Sequence, residues 1–64
     1  MSLTDQQQRI IWQQWIDAIT TEGRDLTPWE ESFVESVADQ LTRGRYLSEK
    51  QAAILERIYA EKTP

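Results

Sequence analysis

The stretch that decides the fold is residues 27–51, which read TPWEESFVESVADQLTRGRYLSEKQ. Its first four residues place a capping threonine, a proline at the first helical position and a glutamate three positions after the cap, which together form a capping box. A second capping box, SEKQ, occupies residues 48–51, and Gly44 separates the two helical runs. Two helix starts on either side of a glycine turn predict a helical hairpin.

Working outward, the apolar residues keep a helical spacing on both sides of this hairpin. We predict helices over about residues 5–22, 28–43 and 49–61, which form one all-α domain, a three-helix bundle covering residues 1–64. Thr4 is the expected N-cap of the first helix, and Gly23 is expected to end it in the left-handed conformation. The predicted core consists of Ile11, Trp15, Ile19, Phe33, Val37, Leu41, Leu47, Leu55, Ile58 and Tyr59.

Composition restricts the chemistry that is available to the chain. With no cysteine and no histidine among 64 residues, disulfides, the common zinc ligand sets and Ser-His or Cys-His triads are excluded. No phosphate-binding glycine loop is present, because the two glycines lie far apart. We therefore expect no catalytic residues, no metal, no cofactor and no enzyme activity. Two exceptions are conceivable, acid–base work by Glu31 and Glu35 on one helix face and a carboxylate metal site formed by Glu22, Asp25 and Glu30, but a solvated acidic face and helix-dipole or capping roles are the favoured interpretations.

Charge and hydropathy restrict the partners and the compartment. The net charge of -4 and the pI of about 4.6 argue against non-specific nucleic-acid binding, which needs a basic surface. Residues 1–8 lack the apolar segment of a signal peptide, and no apolar run approaches the ~20 residues of a membrane span. We expect a cytoplasmic protein that does not bind membranes.

The first helix carries more apolar surface than a surface helix requires. Its apolar arc is roughly 160° wide, against the ~100° that faces a core. Ile10, Trp12 and Ile16 are the predicted partner-binding residues, because an exposed apolar patch indicates a partner or self-association. The alternative is that Trp12 and Ile16 pack against the third helix.

The turn between the second and third helices is basic and carries an aromatic ring. Arg43, Arg45, Tyr46 and Lys50 are the candidate contacts to a phosphate or an acidic peptide. The alternative is structural: Arg43 stabilises the helix dipole and forms an i,i+4 pair with Asp39, while Tyr46 packs on the loop.

The start of the second helix is acidic. The patch comprises Asp25, Glu30, Glu31 and Glu35, with Glu22 nearby. Such a surface either mimics nucleic-acid phosphates and blocks a basic protein groove, or is a solvated face that keeps the domain soluble.

Leu26 to Lys62 resembles a short helical module of phage and bacterial proteins of DNA metabolism, in which it accompanies helicase, recombination or single-strand-binding domains. The resemblance is carried by Phe33, Ser36, Gln40, Gly44, Leu47, Ser48, Lys50 and Gln51. It implies a phage-like small protein, located in the host cytoplasm, whose partner belongs to nucleic-acid machinery. It also draws attention to Lys50, Arg43 and Arg45, because Ser48 and Gln51 already form a capping box.

Three functions are open on this basis. The favoured one is a non-enzymatic module that binds and modulates or inhibits a protein partner, such as a host or phage nucleic-acid enzyme. The second is direct binding of single-stranded nucleic acid through the basic turn. The third is a self-associating structural protein, a homodimer through the first helix.

Overall fold

The computed structural model describes residues 4–64 and contains three helices, α1 (Asp5–Glu22), α2 (Pro28–Thr42) and α3 (Glu49–Lys62). They form the predicted all-α three-helix bundle, with extents of 33 × 24 × 20 Å. The α2 helix is one residue shorter than predicted because Arg43 is its C-cap, and α3 is one residue longer. None of the three helices is both long and apolar enough to cross a membrane.

Every helix begins with a reciprocal capping box. In the two predicted boxes, the Glu30 backbone N–H donates to the Thr27 hydroxyl at 3.1 Å, and the Gln51 N–H donates to the Ser48 hydroxyl at 3.1 Å. The predicted cap Thr4 is also part of a box, which is completed by the Gln7 side chain. Each such cap stabilises its helix by about 1 kcal/mol, so local sequence fixes all three helix starts.

The end of α2 is a glycine-dependent Schellman turn, as the position of Gly44 predicts. Gly44 has φ 81°, in the left-handed region. Its N–H donates to the Leu41 carbonyl at 3.0 Å, and the Arg45 N–H donates to the Gln40 carbonyl at 2.9 Å. This pair of hydrogen bonds satisfies two carbonyls that the helix end would otherwise leave open.

Gly23 is the C-cap of α1, as predicted, but the left-handed conformation predicted for it was wrong. Its backbone is extended, with φ -64° and ψ 138°, and the left-handed residue of this connection is Asp25, with φ 57°. Glycine is needed at position 23 for space, because a Cβ there would collide with the carbonyl oxygen of Ile19. The chain leaves α1 directly, and the Arg24 N–H donates to the Lys62 carbonyl at 3.0 Å.

The core is rotated relative to the predicted one on two helices. The buried residues are Trp12, Ile16, Ile19, Val34, Val37, Leu41, Leu47, Leu55 and Ile58. Four residues of the predicted core, Ile11, Trp15, Phe33 and Tyr59, are only half-buried. On α1, Trp12 and Ile16 are buried in place of Ile11 and Trp15, while Ile19 is buried as predicted, so the centre of the buried stripe lies roughly 70° around the helix from the predicted one.

Polar contacts between helices show how the chain runs. Gln40 and Gln51 exchange two side-chain amide hydrogen bonds, of 2.8 and 3.3 Å, near the α2–α3 turn. At the other end of these helices the Lys62 ammonium lies 3.7 Å from the Glu30 carboxylate and donates to the Asp25 carbonyl. The helices consequently run up, down and up, with α1 parallel to α3.

Candidate functional site

Two of the three predicted partner-binding residues are in the core. Trp12 is 5% exposed and Ile16 is 4% exposed, so neither offers an exposed surface, and the prediction of an exposed Trp12–Ile16 patch was wrong. Ile10 is half exposed, but it precedes Trp12 by two positions and lies on the opposite side of α1. The alternative that Trp12 and Ile16 pack inside the bundle is the correct one.

The excess apolar surface of α1 lies instead along an open groove between α1 and α3, which we call the α1–α3 groove. Its volume is about 610 Å³. Its lining consists of Gln8, Ile11, Trp12, Trp15, Leu47, Ser48, Glu49, Ala52, Ala53 and Glu56. The buried Trp12 and Leu47 form the floor, while Ile11 and Trp15 are partly exposed. The two alanines of α3 leave the groove open, because their side chains are too short to fill it.

Trp15 is held in place at the edge of this groove. Its ring stacks on Tyr59 of α3 with centroids 5.7 Å apart and an interplanar angle of 27°. Stacked aromatic pairs of this kind contribute about 0.5–1.5 kcal/mol beyond area burial. A partly exposed tryptophan that is already immobilised loses little side-chain entropy when a partner covers it.

The rim of the α1–α3 groove on the α3 side is acidic. Glu49 and Glu56 are both exposed and lie seven residues apart, on the same face of α3. Gln8 of α1 is the polar residue on the opposite rim. An apolar floor between polar rims is the usual composition of a protein-docking surface.

Arg9 of α1 contacts the basic turn between α2 and α3, although the sequence analysis did not predict a role for this residue. The Arg9 guanidinium donates to the Leu41 carbonyl at 2.8 Å and lies over the Tyr46 ring, 5.4 Å from its centroid. Tyr46 remains half exposed under this cation. Arg9 is 32 residues from Leu41 in the sequence, so no local pattern could have indicated the contact. The one sequence feature that could have drawn attention to Arg9 is its charge, since the three residues before it in α1 are glutamines.

The predicted basic residues of this turn differ in their surroundings. Arg43 pairs with Asp39 at 2.9 Å, as predicted, and both side chains are more than half exposed. Arg45 and Lys50 are exposed, and between Thr4 and Pro64 neither has a carboxylate within ion-pair distance. Arg45, Lys50 and the Arg9–Tyr46 pair thus form a small cationic surface at one end of the bundle.

The acidic patch is not gathered around one point. Glu30 accepts from the Thr27 backbone N–H at 2.9 Å, which lowers the pKa of Glu30; burial opposes this shift, and the Lys62 charge adds to it. Glu31 and Glu35 are exposed beside a shallow hollow between α1 and α2. Across residues 4–64 no three acidic side chains are placed to hold a metal ion, so Glu22 and its neighbours do not assemble the conceivable metal site.

Most residues that carry the resemblance have a structural role. Gln40 and Gln51 form the amide pair, Ser48 caps α3, Gly44 makes the turn and Leu47 is buried. The remaining three are Phe33, Ser36 and Lys50.

Phe33 belongs to a second aromatic feature of the surface. Its ring stacks on that of Trp29, with centroids 5.4 Å apart and an interplanar angle of 15°. Trp29 is 61% exposed, and a shallow depression beside the pair is lined by Ser32 and Ser36. This feature is smaller than the α1–α3 groove.

Comparisons of the chain with protein-family models, with curated proteins and with solved structures find no significant match.

Proposed function

We propose that this protein is a non-enzymatic binding module whose α1–α3 groove binds a protein partner. The observation that carries the proposal is the partly exposed, pre-positioned Trp15 beside Ile11 in an open apolar groove. Tryptophan is the residue type most enriched among those that dominate binding energy at interfaces. The segment from Leu26 to Lys62 resembles modules of DNA-metabolism proteins, which supports a partner in nucleic-acid metabolism. We propose that the protein modulates or inhibits such an enzyme in the cytoplasm, which is the host cytoplasm if the protein is encoded by a phage.

The test is affinity capture from a bacterial lysate with a groove-blocking variant. Ala53→Arg places a long side chain in the groove at an exposed helical position, where arginine and alanine have similar helix propensity. Ala60→Arg is the matched control, since Ala60 is exposed on the same helix but lies outside the groove lining. Nuclease treatment of half of each sample separates protein contacts from contacts bridged by nucleic acid.

We expect the wild type and Ala60→Arg to retain the same protein after nuclease treatment, and Ala53→Arg to lose it. Equal retention by both variants would show that the groove is not the binding surface. Circular dichroism spectra of both variants that match the wild type are required, so that loss of capture reports on the groove and not on unfolding.

A second candidate function is direct binding of single-stranded nucleic acid at the basic turn. It is favoured by the Arg9–Tyr46 pair, since a half-exposed ring beside Arg45 and Lys50 combines a stacking surface with phosphate-binding cations. Arg45→Ala combined with Lys50→Ala should then abolish binding of a labelled oligonucleotide at low salt, and wild-type affinity should fall as salt rises. Absence of wild-type binding at low salt refutes this function.

A further inference from the structure

We infer that the occupant of the α1–α3 groove is an amphipathic helix of the partner, with two cationic residues seven positions apart that face Glu49 and Glu56. The inference rests on the proposed function and adds the chemistry of the ligand. It comes from the shape of the groove, its floor and the charge of one rim.

The shape of the groove fits a short helix segment. The lining extends from Gln8 to Trp15 on α1 and from Ser48 to Glu56 on α3. At 1.5 Å per residue these segments are roughly 10 and 12 Å long, which corresponds to about two helical turns. The two walls are parallel helices, so a third helix lying between them extends the bundle in the manner of helix-in-groove recognition.

The apolar lining of the groove selects a large apolar anchor. Ala52 and Ala53 leave space on the α3 side, and Ile11 and Trp15 provide apolar contact on the α1 side. A leucine- or phenylalanine-sized side chain on the partner helix fills this space, and its i+3 or i+4 neighbour covers Trp15.

The rim determines the charge of the ligand. Glu49 and Glu56 are about 10 Å apart along α3, the rise of seven residues. Within residues 4–64 neither carboxylate has a cation within ion-pair distance. Cations at positions i and i+7 of a helix that lies alongside α3 face both carboxylates at once. The opposite rim residue, Gln8, adds no charge.

The same rim argues against the other occupants. An isologous dimer through this groove would bring together Glu49 and Glu56 of both copies, four carboxylates in all, and the groove lining holds no cation to pair with them. A nucleic acid would bring its phosphates to the same carboxylates. A cationic helix is the occupant for which both the floor and the rim are complementary.

The experiment uses three designed peptides of about 18 residues, long enough for measurable helicity. The first has a leucine stripe flanked by lysines at i and i+7, the second replaces each lysine by glutamate, and the third has the composition of the first with the stripe scrambled. Binding to the full chain is measured by fluorescence anisotropy of a dye on each peptide.

We expect the lysine peptide to bind about tenfold or more tightly than the glutamate peptide, from two ion pairs gained and two repulsions avoided. The scrambled peptide should not bind. In the Glu49→Lys/Glu56→Lys variant the order of the lysine and glutamate peptides should reverse. The Glu31→Lys/Glu35→Lys variant has the same net charge but is altered away from the groove, and it should keep the wild-type order.

Other outcomes overturn the inference in distinguishable ways. Equal binding of the lysine and glutamate peptides, abolished by Ala53→Arg, would leave the groove as a helix site and remove its charge selectivity. Equal loss of lysine-peptide binding in both charge variants would show that the peptide responds to the net negative charge of the protein and not to Glu49 and Glu56. No lysine-peptide binding, or a dimer in sedimentation that Ala53→Arg dissociates, would also overturn it. If Ala53→Arg still abolishes capture of a protein from lysate, the proposed function stands in each of these cases except that of the dimer.

Discussion

Replacing Arg9 by methionine tests whether one side chain from α1 holds the end of α2 in place. Methionine keeps the aliphatic stem and the helix propensity and removes the charge and the donors. The Leu41 carbonyl retains its hydrogen bond from the Gly44 N–H, so the loss is one charge-assisted bond rather than an orphaned acceptor. That bond contributes about 1.5 kcal/mol and the contact with the Tyr46 ring about 0.5 kcal/mol, giving a cost of about 2 kcal/mol.

A loss of this size is large for such a small domain. A single core of this length supplies about 3–5 kcal/mol, so the substitution should remove roughly half of the free energy of unfolding. Since each kcal/mol shifts the Tm of such a domain by about 4–8 °C, the Tm measured by circular dichroism should fall by roughly 10 °C. Arg57→Met is the matched control, because the Arg57 side chain is 77% exposed and within residues 4–64 its only ion pair is with Glu61, an interaction worth about 0.3–0.5 kcal/mol. Equal losses in the two variants would refute the role assigned to Arg9.

The glycine of the α2–α3 turn, the Gln40–Gln51 amide pair and the charge of Glu30 each stabilise the fold by a measurable amount. Gly44→Ala should cost about 1 kcal/mol, since φ 81° strains any residue with a Cβ; an unchanged urea midpoint would contradict this. Gln40→Ala and Gln51→Ala should show a coupling free energy of about 1 kcal/mol in a double-mutant cycle, from their two reciprocal hydrogen bonds, and strictly additive losses would exclude the pairing. Glu30→Gln keeps the capping box but removes the charge. The folded-state pKa of Glu30 lies below its ordinary value of 4.5. The wild type should therefore be more stable than the variant at pH 7, and this difference in the free energy of unfolding should disappear as the pH falls through the lowered pKa. Melts of both proteins from pH 7 to pH 2.5 measure this difference, and a constant gap would contradict it.

The helices could be predicted from sequence because their determinants are local. Capping boxes and the glycine of the α2–α3 turn act over three to five residues, and the observed bounds differ from the predicted ones by one residue at most. Glycine at position 23 shows the limit of such rules. Its role depends on the closeness of the Ile19 carbonyl, which is a property of the folded backbone.

The rotation of α1 in the bundle could not be predicted in the same way. An apolar arc of roughly 160° accommodates two placements of a ~100° buried stripe, and periodicity does not choose between them. Burial favours Trp12, Ile16 and Ile19, which leaves Ile11 and Trp15 for the groove. The contact from Arg9 to Leu41 was equally inaccessible, because it joins residues 32 positions apart.

The up-down-up course of the chain also determines how this domain behaves when it is linked to others. Thr4 lies at the end of the bundle that contains the α2–α3 turn, and Pro64 lies at the opposite end, beside the α1–α2 connection. Head-to-tail fusion through a short, stiff linker would therefore produce a rod, with successive grooves separated by at least the 33 Å length of one unit. Such a tandem protein would gain avidity only for ligands whose helices are spaced by a similar distance, so it would select partners by the spacing of their binding helices.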